Sequence, residues 1–431
     1  MDKPLRAAAT SLCVILSVTL LLRLGFLWEY THEHPRQAVS VIPFLFESGN
    51  IAHSLATGNG FSSPFRVETG PTAWLPPVYP LLLAGVFRVF GVYTFPSYLA
   101  AVFLNIIFVT LTCIPIYFAG KRIGGLGVAA GAAWLWAVFP NAILIPIESM
   151  WDACLSALLA ATILWATIAL AESRRLRDWC GYGLLWGIAL LTNTTLAALL
   201  PFLLGWLAWR AHKQHEAWIG RVCLSAGVAV LCCVPWTIRN YEVFHEFVPV
   251  RSILGLQLWL GNNDHTQDVF LGDLHPIYNA EERAKYIQVG EPAYMRAKQS
   301  EAVHYMLAHP AREAHLIWNR FIAVWSGGTP NPVADFLNVR SAWFRFVLLF
   351  NIFVAVGALF GILALFRGRS LYAFPAAVFP VVFPWAYYLT LVLPRYRLPI
   401  DPIVMLLTAV ALAELFGASR RTGVEDLLHT H

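Results

Sequence analysis

Three arginines stand immediately outside apolar stretches of this chain: Arg239 after Pro235-Trp236, and Arg395 and Arg397 just before Pro399. A guanidinium is a planar fork that matches phosphate oxygens. At that depth it meets either the headgroup of a bound lipid or the ordinary phosphates of a bilayer, toward which it would snorkel. Carboxylates occupy comparable positions. Glu47 opens a polar segment of helical character, where a negative charge near a helix N-terminus is favourable, and Glu29 and Glu33 are fallbacks closer to the first apolar stretch. Glu148 and Asp152 are four apart, so a continuous helix would put both on one face as a second acidic locus, although capping explains Asp152 equally well. Such a set offers two kinds of chemistry. A carboxylate can take up or orient a hydroxyl proton, and cations can hold negative charge as it grows on a phosphate. Tyr79, Trp236, Trp259 and Asn262, with Trp74 and Trp325, supply candidate apolar walls or sugar contacts, and aromatics at this depth also form the usual interfacial belt. No spacing demands a metal. One would require distant groups such as His53, Glu148 and His265, so no cofactor is certain and a divalent ion is left open.

The elements that must position these groups are set by hydropathy. Of 431 residues, 58% are hydrophobic and 13% charged, with mean hydropathy +0.61, too little polar surface to cover a soluble globule. About ten apolar stretches fit membrane spans, at 8–28, 97–120, 125–145, 152–171, 181–192, 196–209, 222–236, 343–366, 371–393 and 399–417, several of them short for a bilayer. The first follows Lys3 and Arg6 without a small-residue cleavage motif and reads as a retained helix. Bases collect in alternate gaps: Lys121 and Arg122, then Arg174, Arg175 and Arg177, then Arg210 and Lys213, then Arg367 and Arg369, and Arg420 and Arg421 at the end. That asymmetry places both termini in the cytoplasm and the long gaps outside. The net charge of +5 is therefore a topology signal and argues against nucleic acid. All seven cysteines lie in apolar stretches and read as small core residues. Arg23 lies deep within the first span and is costly unless paired, for instance with an acid on a neighbouring helix.

The chain divides into an N-terminal membrane module over 1–236 with a long first outer loop at 29–96, an external lobe over 237–342, and C-terminal membrane helices with a short tail over 343–431. In the first loop a polar helical piece is followed by the turn-rich run Gly58-Asn59-Gly60-Phe61. Next comes Pro76-Pro77-Val78-Tyr79-Pro80 leading into a helix too short to span, which should lie along the interface. The lobe is expected to begin with strand-like and turn-like pieces through Asp273 and to continue as two amphipathic helices from about Ala280 to Trp325.

The order of these motifs resembles a family. Glu47 to Gly58, Gly60-Phe61, Pro76-Pro77-Val78-Tyr79-Pro80-Leu81-Leu82 and Phe90-Gly91 look like the first outer loop of the C-type glycosyltransferases of family 39, relatives of protein mannosyltransferases and lipid A aminoarabinose transferases. Pro235-Trp236-Thr237-Ile238-Arg239-Asn240-Tyr241, Gly255-Leu256-Gln257-Leu258-Trp259-Leu260-Gly261-Asn262 and Arg395-Tyr396-Arg397-Leu398-Pro399-Ile400 extend the likeness along nearly the whole chain. The resemblance implies an all-α polytopic membrane fold of the C type. It further implies inverting transfer of a sugar from a polyprenyl-phosphate donor to a lipid, glycan or protein acceptor at the outer face of, in a bacterium, the plasma membrane. In similar proteins the acid sits in the first outer loop just before the amphipathic helix. Aligned on Ala52, Leu55 and Gly58, that position falls at Phe44, and Glu47 lies about one helical turn further on. Arg239, Arg395 and Arg397 would then converge on the donor phosphate.

Two other classes compete with that expectation. A transporter or flippase of a lipid-linked saccharide should place ionisable groups and broken helices at mid-membrane in two related halves, whereas here the polar residues gather on one rim and no halves repeat. An inactive relative that binds carrier lipid is kept in view by the displaced acid.

Overall fold

The computed structural model describes residues 7, 9–266 and 272–417, so the terminal bases Lys3, Arg6, Arg420 and Arg421 lie outside the described residues. The described fold is helical. Its β structure is a single isolated bridge between Ser62 and Pro71, so the strand-like expectation for the start of the lobe is corrected. In chain order the principal helices are α1 (Leu12–Glu33), α2 (Glu47–Ala56), α3 (Val78–Phe90), α4 (Phe95–Leu111), α5 (Cys113–Val138), α6 (Pro140–Glu148), α7 (Ala153–Leu170), α8 (Leu176–Leu190) and α9 (Leu200–Lys213). They continue with α10 (Ile219–Phe244), α11 (Leu254–Gly261), α12 (Ala280–Val289), α13 (Glu291–Ala308), α14 (Pro310–Ser326), α15 (Ala342–Arg367), α16 (Ala373–Val382) and α17 (Asp401–Leu415).

Among the described residues, six segments are long and apolar enough to cross a membrane: Leu12–Glu33, Phe95–Val138, Ala153–Leu170, Thr194–Lys213, Ile219–Phe244 and Ala342–Arg367. The second of these is two passes. Gly124 and Gly125 leave the helical region inside α5, and a Cβ on Gly120 would lie 2.9 Å from the Cα of Ala129. In a straight helix those residues would be about 13 Å apart, so the chain has folded back on itself beside Lys121 and Arg122. The helices α8 and α17 are 15 residues each, a rise of about 22 Å against a hydrocarbon core of about 30 Å. The chain around Asn193 divides 179–209 into two short helices joined by a 3-10 turn at Thr194–Leu199.

Burial separates inner from outer helices. Cys154, Ala157, Ala160 and Ile163 put α7 in the middle of the bundle, while α10 and α15 turn apolar side chains outward, with Leu231 66% and Phe360 57% exposed, as lipid-facing helices do. The packing of α15 against α17 depends on small residues. A Cβ on Gly361 would sit 1.9 Å from the carbonyl oxygen of Leu407, and Thr408 donates across the same seam to the carbonyl of Val354 at 2.9 Å. The lobe is built from α11 to α14, two helices more than expected: α11 lies where strand-like and turn-like pieces were expected, and Gly290 at φ 81° interrupts what the hydrophobic pattern reads as a single helix.

The bundle has a basic end. Arg210 donates to the carbonyl of Ala171 just past α7, Arg122 pairs with Glu172 at 2.9 Å, and Glu216 receives Arg174 at 2.6 Å and Arg221 at 2.8 Å. Asp152 marks the opposite end of α7.

Arg23 is fully buried and, among the described residues, pairs with no acid. Its guanidinium donates instead to the carbonyls of Thr19, Ala137 and Ala142 at 3.0 Å and of Trp136 at 3.3 Å. Thr19 lies on α1 itself, and the other three acceptors flank the break between α5 and α6, where the chain turns extended at Phe139 and Pro140 has no N–H to give. The cation thus ties α1 to the broken helix by supplying the donors that the backbone lacks. Replacing Arg23 with Leu should strand those oxygens in an apolar setting and cost on the order of 2–5 kcal/mol. A lowered thermal midpoint of the purified protein, partly restored by Arg23→Lys, is the expected readout, and an unchanged midpoint would show that the carbonyls find other donors.

Candidate active site between the first loop and the lobe

A cavity of about 290 Å³ lies where the first loop, the start of α7, the chain around Asn193, the lobe and the start of α17 meet, and it takes in Glu47, Asp152, Arg251 and Arg395. It is at the end of the bundle away from the clustered bases and falls at the small end of the range for small-molecule sites. Trp74, Trp151, Tyr278, Tyr387 and Tyr396 give it aromatic walls.

Glu47 is the first residue of α2 and is buried. The helix starts there because Phe46 is extended and Phe44 is locked into a 3-10 turn against Phe87, their ring centroids 4.9 Å apart. Phe44 itself is fully buried, so the carboxylate is supplied one turn later, at the point where the chain faces the cavity. Burial pushes the Glu47 carboxyl up to about 7, against the opposing pull of a backbone hydrogen bond and the positive charge of Arg395. Its Oε1 lies 3.1 Å from Nε2 of His275 in the lobe, and burial pushes that imidazole down to about 3, which keeps it neutral.

Asp152 precedes α7 on the other side of the cavity. Burial raises its carboxyl, offset by the Ser156 hydroxyl that donates to Oδ2 at 2.8 Å and by Arg251 and Arg395. Asn193 in turn donates to Ser156 at 3.3 Å, fixing the rotamer that serves Asp152. Glu148 does not share this face. Its helix ends at that residue and the next begins at Ala153, so the four-residue spacing spans a break, and Glu148 is exposed outside the cavity.

The arginines separate in the same way. Arg395 faces the cavity with its guanidinium 4.4 Å from the ring of Trp151 and 5.3 Å from that of Tyr396, and it makes no hydrogen bond or ion pair among the described residues. Arg397 is turned away. Pro394–Tyr396 is a 3-10 turn with three residues per turn, so residues two apart cannot share a direction. Arg397 is buried with Nε 2.6 Å from Asp401 Oδ1, and it donates to the carbonyls of Val324 and Trp325 and to the Asn351 side chain. Arg239 also spends its donors elsewhere, on the carbonyls of Thr72 at 2.7 Å and Phe61 at 2.8 Å, and it stacks on Trp236. It pins the first loop to α10. The three arginines therefore do not converge, because depth in the membrane leaves their direction around the helix or turn unspecified.

The expected sugar contacts are also engaged in packing. Tyr79 donates to Asn105, Trp236 donates to the carbonyl of Val250, and Trp259 lies under Lys298. Asn262 receives Arg320 and donates to the carbonyl of Leu389. None of these four lines the cavity.

Arg251 and His275 are the site residues that sequence reasoning passes over. Arg251 follows the irregular link at Pro249-Val250 and donates to Gln257 Oε1 at 2.9 Å on α11, the helix of the Gly255 to Asn262 motif, and that proximity is the one signal that could have found it. Arg251, Gln257 and Tyr387 also form part of a second hollow, an apolar groove of about 780 Å³ lined by Val230, Val234, Ile238 and Leu254. The two spaces share a wall. A chamber that holds two acids and two guanidiniums thus adjoins a groove on the lipid-facing flank of α10. Among the described residues no group of three or more His, Cys, Asp or Glu is placed to hold a metal ion.

Residues 75–238 match the family model described as dolichyl-phosphate-mannose-protein mannosyltransferase. No curated protein matches the chain. Among solved structures, the apo oligosaccharyltransferase of Archaeoglobus fulgidus aligns with TM-score 0.53 and 11% identity, over 94% of this chain and 51% of that one. The archaeal oligosaccharyltransferase AglB from the same organism, in complex with an inhibitory peptide and a dolichol-phosphate, aligns with TM-score 0.53 and 12% identity, over 94% and 50%. ArnT from Cupriavidus metallidurans bound to undecaprenyl phosphate aligns with 13% identity over 91% of this chain and 77% of that one, at TM-score 0.37. The chain spans about half the length of the archaeal enzymes. It is an integral membrane protein with the fold of the C-type glycosyltransferases, and over residues 75–238 it carries the sequence pattern of the protein mannosyltransferase family.

Proposed function

We propose that the protein is an inverting glycosyltransferase that moves a sugar from a polyprenyl-phosphate donor to a lipid, glycan or protein acceptor. The observation that carries this reading is the position of Arg251, on the wall between a charged cavity and an apolar groove. A carrier lipid has that same division, with an anionic phosphate joined to a hydrocarbon tail. In this reading the tail lies along Val230, Val234 and Ile238, and the phosphate meets Arg251 and Arg395, whose forks match its oxygens. The family match and the dolichol-phosphate in complex with AglB support it.

The acceptor hydroxyl then attacks the anomeric carbon on the face opposite the phosphate. Its proton passes to Glu47, the new glycosidic C–O bond forms, and the C–O bond to the phosphate breaks. The carrier phosphate leaves with the electron pair, and the two guanidiniums neutralise the charge that collects on it. Asp152 stands across the cavity as the second acid, held by Ser156 and placed to orient the sugar or the acceptor. The clustered bases mark the cytoplasmic end of the bundle by the positive-inside rule, so the cavity faces outward, toward the periplasm in a bacterial plasma membrane.

In a variant whose seven native cysteines are replaced, a Cys placed at exposed Glu68 beside the cavity end should react with an impermeant maleimide in intact cells, and one at Lys213 only after lysis. The reverse pattern would put the site on the other face. With a polyprenyl-phosphate hexose as donor, Glu47→Gln should lower turnover by ~10² to 10⁴ and leave donor binding nearly intact. Because only the ionised carboxylate accepts a proton and its pKa is about 7, wild-type rate should fall as pH drops below neutrality. Normal turnover in Glu47→Gln with loss in Asp152→Asn would transfer the base to Asp152.

A further inference from the structure

We infer that His275 is the positioning residue of this site: carried in from the lobe, its imidazole N–H orients the Glu47 carboxylate and stabilises the ionised form that accepts the acceptor's proton. The inference rests on the proposed role of Glu47.

The tautomer is fixed by the backbone. The amide of Ile277 donates to Nδ1 of His275 at 3.2 Å, so that nitrogen presents its lone pair. A neutral imidazole carries its one proton on the other nitrogen, and Nε2 is the atom 3.1 Å from Glu47 Oε1. The contact is therefore an N–H donated to a carboxylate and requires no imidazolium. Protonating Nδ1 would forfeit the Ile277 hydrogen bond, and burial opposes it as well. The ring cannot swing away, because Trp74 and Phe65 meet it edge to face with centroids 5.6 Å and 6.4 Å distant.

Electrostatics give that hydrogen bond its consequence. Glu47 shares its cavity with Arg395 and Tyr396 from the turn before α17, Asp152 before α7, Arg251 before α11, and Tyr278 and His275 from the lobe. Burial alone favours the neutral acid, and a donor directed at one carboxylate oxygen favours the anion. His275 thus sets the pH at which Glu47 becomes a base and leaves Oε2 to address the substrate. It also makes catalysis conditional on the lobe, since residues 47 and 275 belong to separate outer segments that meet only when lobe and loop are docked.

The test uses the full chain in lipid nanodiscs. Infrared spectra taken across a pH series contain a carboxyl C=O band for Glu47, recognised as the band missing from Glu47→Gln. In His275→Phe, which keeps the ring and loses the donor, the midpoint of that band should move upward by about one to two pH units. His275→Gln, which offers both an acceptor for Ile277 and a donor for Glu47, should bring it most of the way back. The acidic limb of kcat should shift with it while KM for a polyprenyl-phosphate hexose stays nearly constant. An unmoved midpoint in His275→Phe would overturn the inference. Nitrogen NMR of the unaltered protein decides the matter even if that variant does not fold: the Nε2-protonated tautomer is expected, and an imidazolium or the opposite tautomer overturns it. If Glu47→Gln keeps full turnover, the role of Glu47 as base fails, while the infrared midpoint still reports whether His275 holds it.

Discussion

A charge removed from water at the rim of a bilayer has to be met by an opposite charge or by several hydrogen bonds, and where this chain meets that demand internally explains most of its architecture. Arg23 caps a broken helix through three carbonyls, Arg239 ties the first loop to α10, and Arg397 locks Asp401 at the start of α17. These cations are structural because their donors are consumed by protein acceptors. Arg395 differs in kind. Held, among the described residues, only by the faces of Trp151 and Tyr396, it directs its fork into a cavity that Arg251 also enters, opposite Glu47 and Asp152. Two acids with raised pKa and two guanidiniums in one enclosed space form the arrangement expected of a site that handles a proton on one side and a phosphate on the other.

The bundle and the lobe contribute different halves of that arrangement. Asp152, Asn193 and Arg395 come from helix ends and turns of the membrane portion, which α7 and α17 hold rigidly at the centre. Glu47, Arg251 and His275 come from the first loop and the lobe. Those segments are joined by Glu291, whose carboxylate accepts from the Ala73 amide and from the Thr72, Ser252 and Tyr286 hydroxyls, so one buried acid bridges the first loop and the lobe next to the cavity wall. The chemistry thus sits on a rigid floor under a roof that is assembled from two separate pieces of chain.

Much of this was legible in the sequence, and the remainder was hidden for physical reasons. Hydropathy and the alternation of basic gaps convey a helical membrane bundle with one chemically rich end, because the bilayer imposes both signals on every span. They convey the number of passes less well, since 15-residue helices such as α8 and α17 have neither the length of a span nor the pattern of a surface helix. Glu47, Asp152 and Arg395 are visible because they are isolated charges beside apolar runs. The same logic also selects Arg239 and Arg397, because position along the membrane normal is written in the sequence while direction around a helix or a 3-10 turn is decided by packing. Arg251 and His275 sit in irregular links with no periodicity to interpret, and only the folded chain brings them to the carboxylates.

The central claim is that Arg251 and Arg395 together hold a carrier-lipid phosphate, and equilibrium binding of a polyprenyl phosphate to the purified protein tests it most directly. Each charge-assisted hydrogen bond contributes roughly 1.5 to 3 kcal/mol, so Arg251→Ala and Arg395→Ala should each weaken binding by about tenfold or more. Lysine at either position should recover only part of the loss, because it restores charge without the bidentate fork. Wild-type affinity in the double alanine variant would contradict the account and leave the cavity without its phosphate site.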